Sequence, residues 1–191
     1  ILLGGVVFLL SFTVLLTNLR LALRGSGKPY LVFGGGDVQP VVLDRRQLRW
    51  IATAAAGLVA VFLGLFASNQ WLVWLQYLHQ VPFGETDPLF DRDAAFYIFS
   101  LPFLDFARSS LLVVVVLSLI GSAGAYVTSG LLAFDPNQGL TVSPRVRRHL
   151  SLLVAALLLL MAWGAYLDMP RLLTTPAGIL HGASYVDVEA R

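Results

Sequence analysis

The sequence predicts an all-α integral membrane protein with about four transmembrane helices and a short interfacial helix in the central connection. Three observations carry that prediction. Of the 191 residues, 57% are hydrophobic and only 13% are charged, where a soluble domain has about 25% charged. The apolar residues stand in blocks of about twenty, the length that a hydrocarbon core of roughly 30 Å asks of a helix. The stretch Phe83–Phe103, FGETDPLFDRDAAFYIFSLPF, gathers Glu85, Asp87, Asp91, Arg92 and Asp93 between two apolar blocks on each side.

The first helix covers residues 1–20. The hydroxyls of Ser11, Thr13 and Thr17 are satisfied by the helix backbone, so they are cheap in lipid. Arg20 and Arg24 close it by snorkelling to the interface. A polar connection follows. Gly25-Ser26-Gly27-Lys28-Pro29 is a turn signal, and Val38–Leu43 is a short extended segment. Phe33-Gly34-Gly35-Gly36-Asp37 is a turn too, since it lacks the lysine and strand–turn–helix frame of a phosphate loop. Asp44 is placed to cap the second helix, which covers 50–79. There Ala56, Ala60 and Gly64 recur every fourth residue, a shallow stripe for a neighbouring helix. A continuous helix over Trp50–Gln80 would be about 46 Å long, so it must tilt, bend near Asn69 or project. Trp71, Trp74 and Tyr77 suit the aromatic belt of a membrane interface.

In the central stretch, Asp87-Pro88 predicts an N-cap and first residue of a short helix. Phe96, Tyr97, Phe99 and Phe103 form its aromatic face at the membrane surface. Ser100-Leu101-Pro102 predicts a second cap, leading into a third helix over 106–132. Ser118, Gly121, Ser122 and Ala125 give that helix a small-residue face. Asp135–Gly139 reads as a turn. Ser143-Pro144 caps a fourth helix over 145–167, ended by Met169-Pro170. Arg145, Arg147 and Arg148 oppose its dipole, an effect that an anionic leaflet offsets. The tail holds a further turn at Thr174–Gly178.

Basic residues collect on the first and third connections: Arg20, Arg24, Lys28, Arg45, Arg46, Arg49, Arg145, Arg147 and Arg148. By the positive-inside rule these face the cytoplasm, leaving the acidic, aromatic cap outside. The absence of Cys excludes disulfides and thiolate chemistry. A net charge of +2 gives no sign of nucleic-acid binding. The chain opens on Ile1 without a charged leader, which reads as a single transmembrane domain, residues 1–191, cut from a longer protein.

Two segments carry a family likeness. They are Phe83-Gly84, Thr86-Asp87-Pro88, Phe90, Asp93, Phe96-Tyr97, Phe99 and Leu101-Pro102-Phe103, and then His149-Leu150-Ser151, Tyr166-Leu167-Asp168 and Gly182-Ala183-Ser184-Tyr185 with Asp187. These resemble uncharacterised protein family 0182, large bacterial multipass membrane proteins. The likeness is in register from about Asn69 onward and weaker before it. It implies about seven N-terminal membrane helices and a large extracytoplasmic domain in the intact protein. It implies no catalytic residues. This chain departs from the pattern where a late lysine is frequent (Met161, Ala162 and Trp163 stand there), at Val186 in place of threonine, and at Met169-Pro170-Arg171.

The acidic cluster of Glu85, Asp87, Asp91 and Asp93 offers carboxylate oxygens to a metal, Ca²⁺ being the fitting ion. Asp87, Asp91 and Asp93 are the candidate ligands, with Asp91 and Asp93 alternating as in a loop site. There is no EF-hand glycine or closing glutamate, and a solvated capped helix is the expected reading. Asp168, His181, Tyr185 and Asp187 hold an acid and an imidazole suited to proton transfer; a structural hydrogen-bond network, or contact with the C-terminal domain that the resemblance implies, is expected instead. His79 and His149 read as interfacial. Trp71, Trp74, Phe96, Tyr97, Phe99, Pro102, Tyr185 and Asp187 are the expected interfacial and structural residues. No motif selects a cofactor. The helix cores read as free of ionisable side chains, unlike most proton and ion pathways. The expected function is therefore a structural or accessory subunit of a membrane complex and not an enzyme, in contact with lipids and other membrane subunits. The first alternative is a transporter or channel component; the second is a membrane-surface enzyme built on the acidic cap. The expected location is the bacterial inner membrane, the alternative a photosynthetic or other internal membrane.

Overall fold

The computed structural model describes residues 2–24, 44–129, 131–135, 139–172, 176–177 and 180–181. The Gly25–Leu43 connection and the segment after His181 lie outside these. The elements run α1 (Leu2–Leu23), α2 (Arg45–Asn69), α3 (Trp71–Leu78), α4 (Leu101–Thr128), β1 (Leu132–Asp135), β2 (Gly139–Val142), α5 (Pro144–Arg171), β3 (Pro176–Ala177) and β4 (Leu180–His181). Four helical spans are long and apolar enough to cross a membrane: Leu2–Leu23, Arg46–Asn69, Phe96–Thr128 and Pro144–Arg171. Only 17–22% of their apolar windows is buried, and large side chains such as Phe62, Leu65, Leu158 and Leu159 stand outward. A soluble protein hides such surfaces; these suit hydrocarbon. The fold class is the one the sequence predicts.

The chain forms two compact units, Ile1–Ser68 with Val113–Leu157, and Asn69–Leu112 with Leu158–Arg191. In the first, helices meet through small residues. Ala56, Ala60, Gly64 and Ala67 of α2 are buried, and Gly64 lies against Gly4 and Phe8 of α1. With no side chain on Gly4 or Gly64, the two backbones approach closely enough for dispersion to hold them. On α4 the buried residues Val114, Ser118, Ser122 and Tyr126 recur every fourth position, and Leu15, Ala56 and Val114 join α1, α2 and α4. The hydroxyls of Ser118 and Ser122 are buried without a hydrogen-bond partner among the described residues, so it is their size that fits them to this face. At the end of α4, Ala22, Tyr126 and Val146 form a second cluster, covered by Leu131, Leu132 and Val142.

Two caps fall where the sequence places them. Asp44 O accepts from Leu48 N, and Gln47 Oε1 accepts from Asp44 N at 2.9 Å, half of a capping box. Ser143 Oγ accepts from Val146 N at 3.4 Å, with Pro144 at the first helical position.

Elsewhere the elements shift. The long second helix is interrupted at Gln70, which separates α2 from α3. The third helix ends at Thr128, not 132, because Leu132–Asp135 pairs antiparallel with Gly139–Val142; residues 136–138 of the expected turn lie outside the described residues. The fourth continues through Pro170 to Arg171. Pro88–Phe90 forms one turn, so the helical part of the central stretch starts later, at Ala94. Ser100 is not an N-cap. It lies in a π-helical turn, Phe96–Ser100, that runs directly into α4. Pro102 supplies a reason: it has no N–H to offer and its ring crowds the preceding turn. Leu101 N instead donates to Phe96 O, five residues back.

Candidate functional site

Three polar clusters stand out. The first is the central cap, within the second unit. Here Asp87 organises the loop from its centre. Its Oδ1 accepts from Leu89 N (2.7 Å) and Phe90 N (2.8 Å); its Oδ2 accepts from Arg92 N (3.3 Å) and the Tyr97 hydroxyl (2.5 Å). Desolvation pulls the Asp87 carboxyl upward, but the Tyr97 hydroxyl and the Phe90, Leu89 and Arg92 amides outweigh it and hold the pKa at about 2. Asp93 stitches the loop to the helix. It accepts from Phe83 N (3.0 Å), Gly84 N (2.8 Å) and Ala95 N (2.8 Å). The Ala95 and Phe83 amides lower its carboxyl below the ordinary range. Gly84 and Asp91 turn the chain with positive φ, 78° and 53°, a conformation open to glycine and tolerated by aspartate.

Of the three candidate metal ligands, Asp87 and Asp93 are thus engaged by N–H and O–H donors, and Asp91 is exposed. Among the described residues no three His, Asp or Glu side chains converge to hold an ion. Around the cap, Phe83 stacks on Phe99 at 6.0 Å, and Phe103 packs on Tyr77 (4.2 Å) and Trp74 (5.3 Å). Ser100 Oγ donates to Gln80 Oε1 at 2.7 Å. Arg92 lies over the Phe96 ring at 4.2 Å and donates to the Tyr166 hydroxyl at 2.6 Å. Trp71 is exposed.

The second cluster, in the first unit, links three helices. Asn18 Nδ2 donates to Val14 O at 2.8 Å, which leaves Asn18 Oδ1 as an acceptor. His149 Nε2 lies 2.8 Å from that oxygen and His149 Nδ1 lies 2.7 Å from the Tyr126 hydroxyl. The bonds fix the roles: Nε2–H donates to asparagine, and Nδ1 accepts from tyrosine. His149 therefore connects helices within the first unit. An open cleft of about 510 Å³ lies near the start of α5, lined by Leu131, Ser143, Pro144, Arg145 and Arg148.

The third cluster corrects the expectation of uncharged helix cores. Arg108 is half-buried in α4, and its Nε donates to Leu160 O of α5 at 3.0 Å. Its guanidinium occupies the space a side chain at residue 164 would take: a Cβ on Gly164 would collide with Arg108 Cζ and Nη2. Nearby, Arg171 pairs with Asp105 and, at 2.9 Å, with Asp168. Asp168 is thus an ion-pair partner. The other members of its expected group, the His181 side chain, Tyr185 and Asp187, lie outside the described residues.

Sequence reasoning missed Asn18, Asp105, Arg108, Tyr126 and Gly164. A glycine within an otherwise bulky apolar run was the one local sign, since such a residue marks a close approach.

Comparison with known proteins places these features in a family. The family model described as uncharacterised protein family UPF0182 matches residues 1–191. The UPF0182 protein of Geobacter sp. strain M21 is 36% identical over 196 residues, covering 98% of this chain and 21% of that protein. A UPF0182 protein of Synechococcus sp. strain JA-3-3Ab is 38% identical over 147 residues, 74% of this chain and 17% of its own length. One from Bradyrhizobium diazoefficiens is 33% identical over 200 residues, 96% of this chain and 21% of its own. The chain thus spans about a fifth of the length of the relatives it matches. No solved structure matches it.

Proposed function

The chain belongs to the uncharacterised protein family UPF0182, and we propose that it forms a structural or accessory part of a membrane protein complex. One observation carries this reading: polar groups inside the spans are used to hold helices to one another. The Asn18–His149–Tyr126 chain ties α1, α4 and α5, and Arg171 ties α5 to Asp105 of α4. Such bonds build a scaffold. In this reading no group is set aside for catalysis. The outward apolar surface meets lipid and other membrane subunits, and nucleic acid has no part. The arginine-rich helix ends face the cytoplasm of a bacterial inner membrane, with the acidic cap outside. Arg145 and Arg148, beside their open cleft, suit contact with an anionic leaflet.

A transporter or channel component is the second reading. It is favoured by Arg108, because an ionisable side chain within a span often marks an ion or substrate path. Purifying the intact protein from its native membrane and identifying co-migrating chains tests the first reading. Stable partners are expected. A protein that runs alone and moves a solute into vesicles would favour the second.

A further inference from the structure

Arg108 is a charge inside a membrane span whose counter-ion is not among the described residues. Its Nε serves Leu160 O, and among the described residues it has no other hydrogen bond and no salt bridge. The nearby acid Asp105, one turn away on α4, is paired with Arg171. A guanidinium offers five donors in a fixed fork that matches a carboxylate. An uncompensated cation in hydrocarbon is costly, and embedded cations are found paired. The site is also built: glycine at 164 is what leaves room for the guanidinium against α5.

From these facts we propose that Arg108 is a docking charge for a neighbouring transmembrane helix that carries Asp or Glu at matching depth. This rests on the assembly reading above and names the chemistry of its contact. Depth favours a helix over a lipid phosphate. Leu160 lies eleven residues before the end of α5 at Arg171, about 16 Å along the axis. Phosphates lie outside a hydrocarbon half-thickness of about 15 Å, so a headgroup would have to sink well below its own layer. A carboxylate on a helix arrives at that depth already. The relatives are about five times the length of this chain, so further polypeptide is at hand to supply it. Arg108 is only half-buried, which leaves the fork within reach.

The test uses the full-length protein in its native membrane, with the photo-crosslinker benzoylphenylalanine at Leu111, an exposed residue one turn from Arg108. Crosslinked products are mapped by mass spectrometry in wild type, Arg108→Gln and Arg108→Lys. Capture of a transmembrane segment bearing Asp or Glu is expected. Arg108→Gln should lower its yield about tenfold or more, and Arg108→Lys should retain most of it. Exchanging the charges, with Arg108→Glu and arginine at the captured acid, should restore capture. This last arm holds even if Arg108→Gln fails to accumulate. Capture of lipid alone, capture of a helix without an acid, or a yield indifferent to Arg108→Gln would overturn the proposal. If separate subunits co-purify equally with wild type and Arg108→Gln, the assembly reading survives and the pairing falls. If the captured acid lies on the same chain and no other subunit co-purifies, the pairing stands and the accessory-subunit reading falls.

Discussion

Replacing Gly4 with alanine should weaken the first unit, while the same change one residue on, at Gly5, should not. A Cβ on Gly4 would lie 2.6 Å from Gly64 O and would also strike Ser68 Oγ; a Cβ on Gly5 would meet nothing within 4 Å. The serine side chain can rotate away, but the carbonyl belongs to the α2 backbone. It must retreat by about 0.8 Å to reach ordinary contact near 3.4 Å. A gap of that size forfeits roughly a quarter to a half of each dispersion well along the crossing, and overpacking of this kind costs about 1–3 kcal/mol. Alanine also gains up to about 1 kcal/mol of helix propensity over glycine, but both variants share that gain, so it cancels in the comparison. Gly4→Ala should therefore unfold about 1–3 kcal/mol more easily than Gly5→Ala. SDS titration of the protein in bicelles, followed by tryptophan fluorescence, reads the difference. Equal midpoints, or a more stable Gly4→Ala, would show that the α1–α2 approach is not as close as Gly4 and Gly64 require.

Two further outcomes concern the polar clusters. Asp87 has a folded pKa near 2 against an ordinary 3.8, so its contribution to the cap is complete above 3.8 and is lost as pH falls through about 2. Carboxyl NMR should show Asp87 titrating well below the ordinary 3.8, and Asp87→Asn should loosen Leu89–Arg92 to hydrogen exchange even at neutral pH. In the first unit, Asn18→Leu, His149→Leu and the double variant form a cycle. The coupling should be about 0.6–1.7 kcal/mol, the range found for buried polar pairs in membrane proteins, and a coupling of zero would sever the chain drawn between α1 and α5.

The four spans were legible because lipid thickness dictates run length, and nothing in a run such as Leu2–Leu23 competes with that signal. The Asp44 and Ser143 caps were legible because capping is local. So was the Ala56–Ala60–Gly64 stripe, since its period belongs to one helix. The central loop was less so: Asp87-Pro88 has the chemistry to start a helix, but Asp87 closes a tight turn when Tyr97, ten residues on, donates to the same carboxylate. A third helix beginning near 106 puts Arg108 at its very end, where a charge is ordinary. The π-helical turn before Pro102 starts the span at Phe96, which moves Arg108 several turns inward. His149 and Asn18 stand 131 residues apart in sequence, and no window along the chain could pair them.

The Asn18–His149–Tyr126 chain also decides something that grease leaves open. Hydrocarbon is indifferent to how a smooth apolar rod is turned about its long axis, and leucines on one side serve as well as leucines on another. An imidazole wedged between an amide and a phenol is not indifferent. Rotating α1, α4 or α5 by a single residue, about 100°, would pull at least one group out of reach. These three side chains act as a key that sets the azimuth of three helices at once.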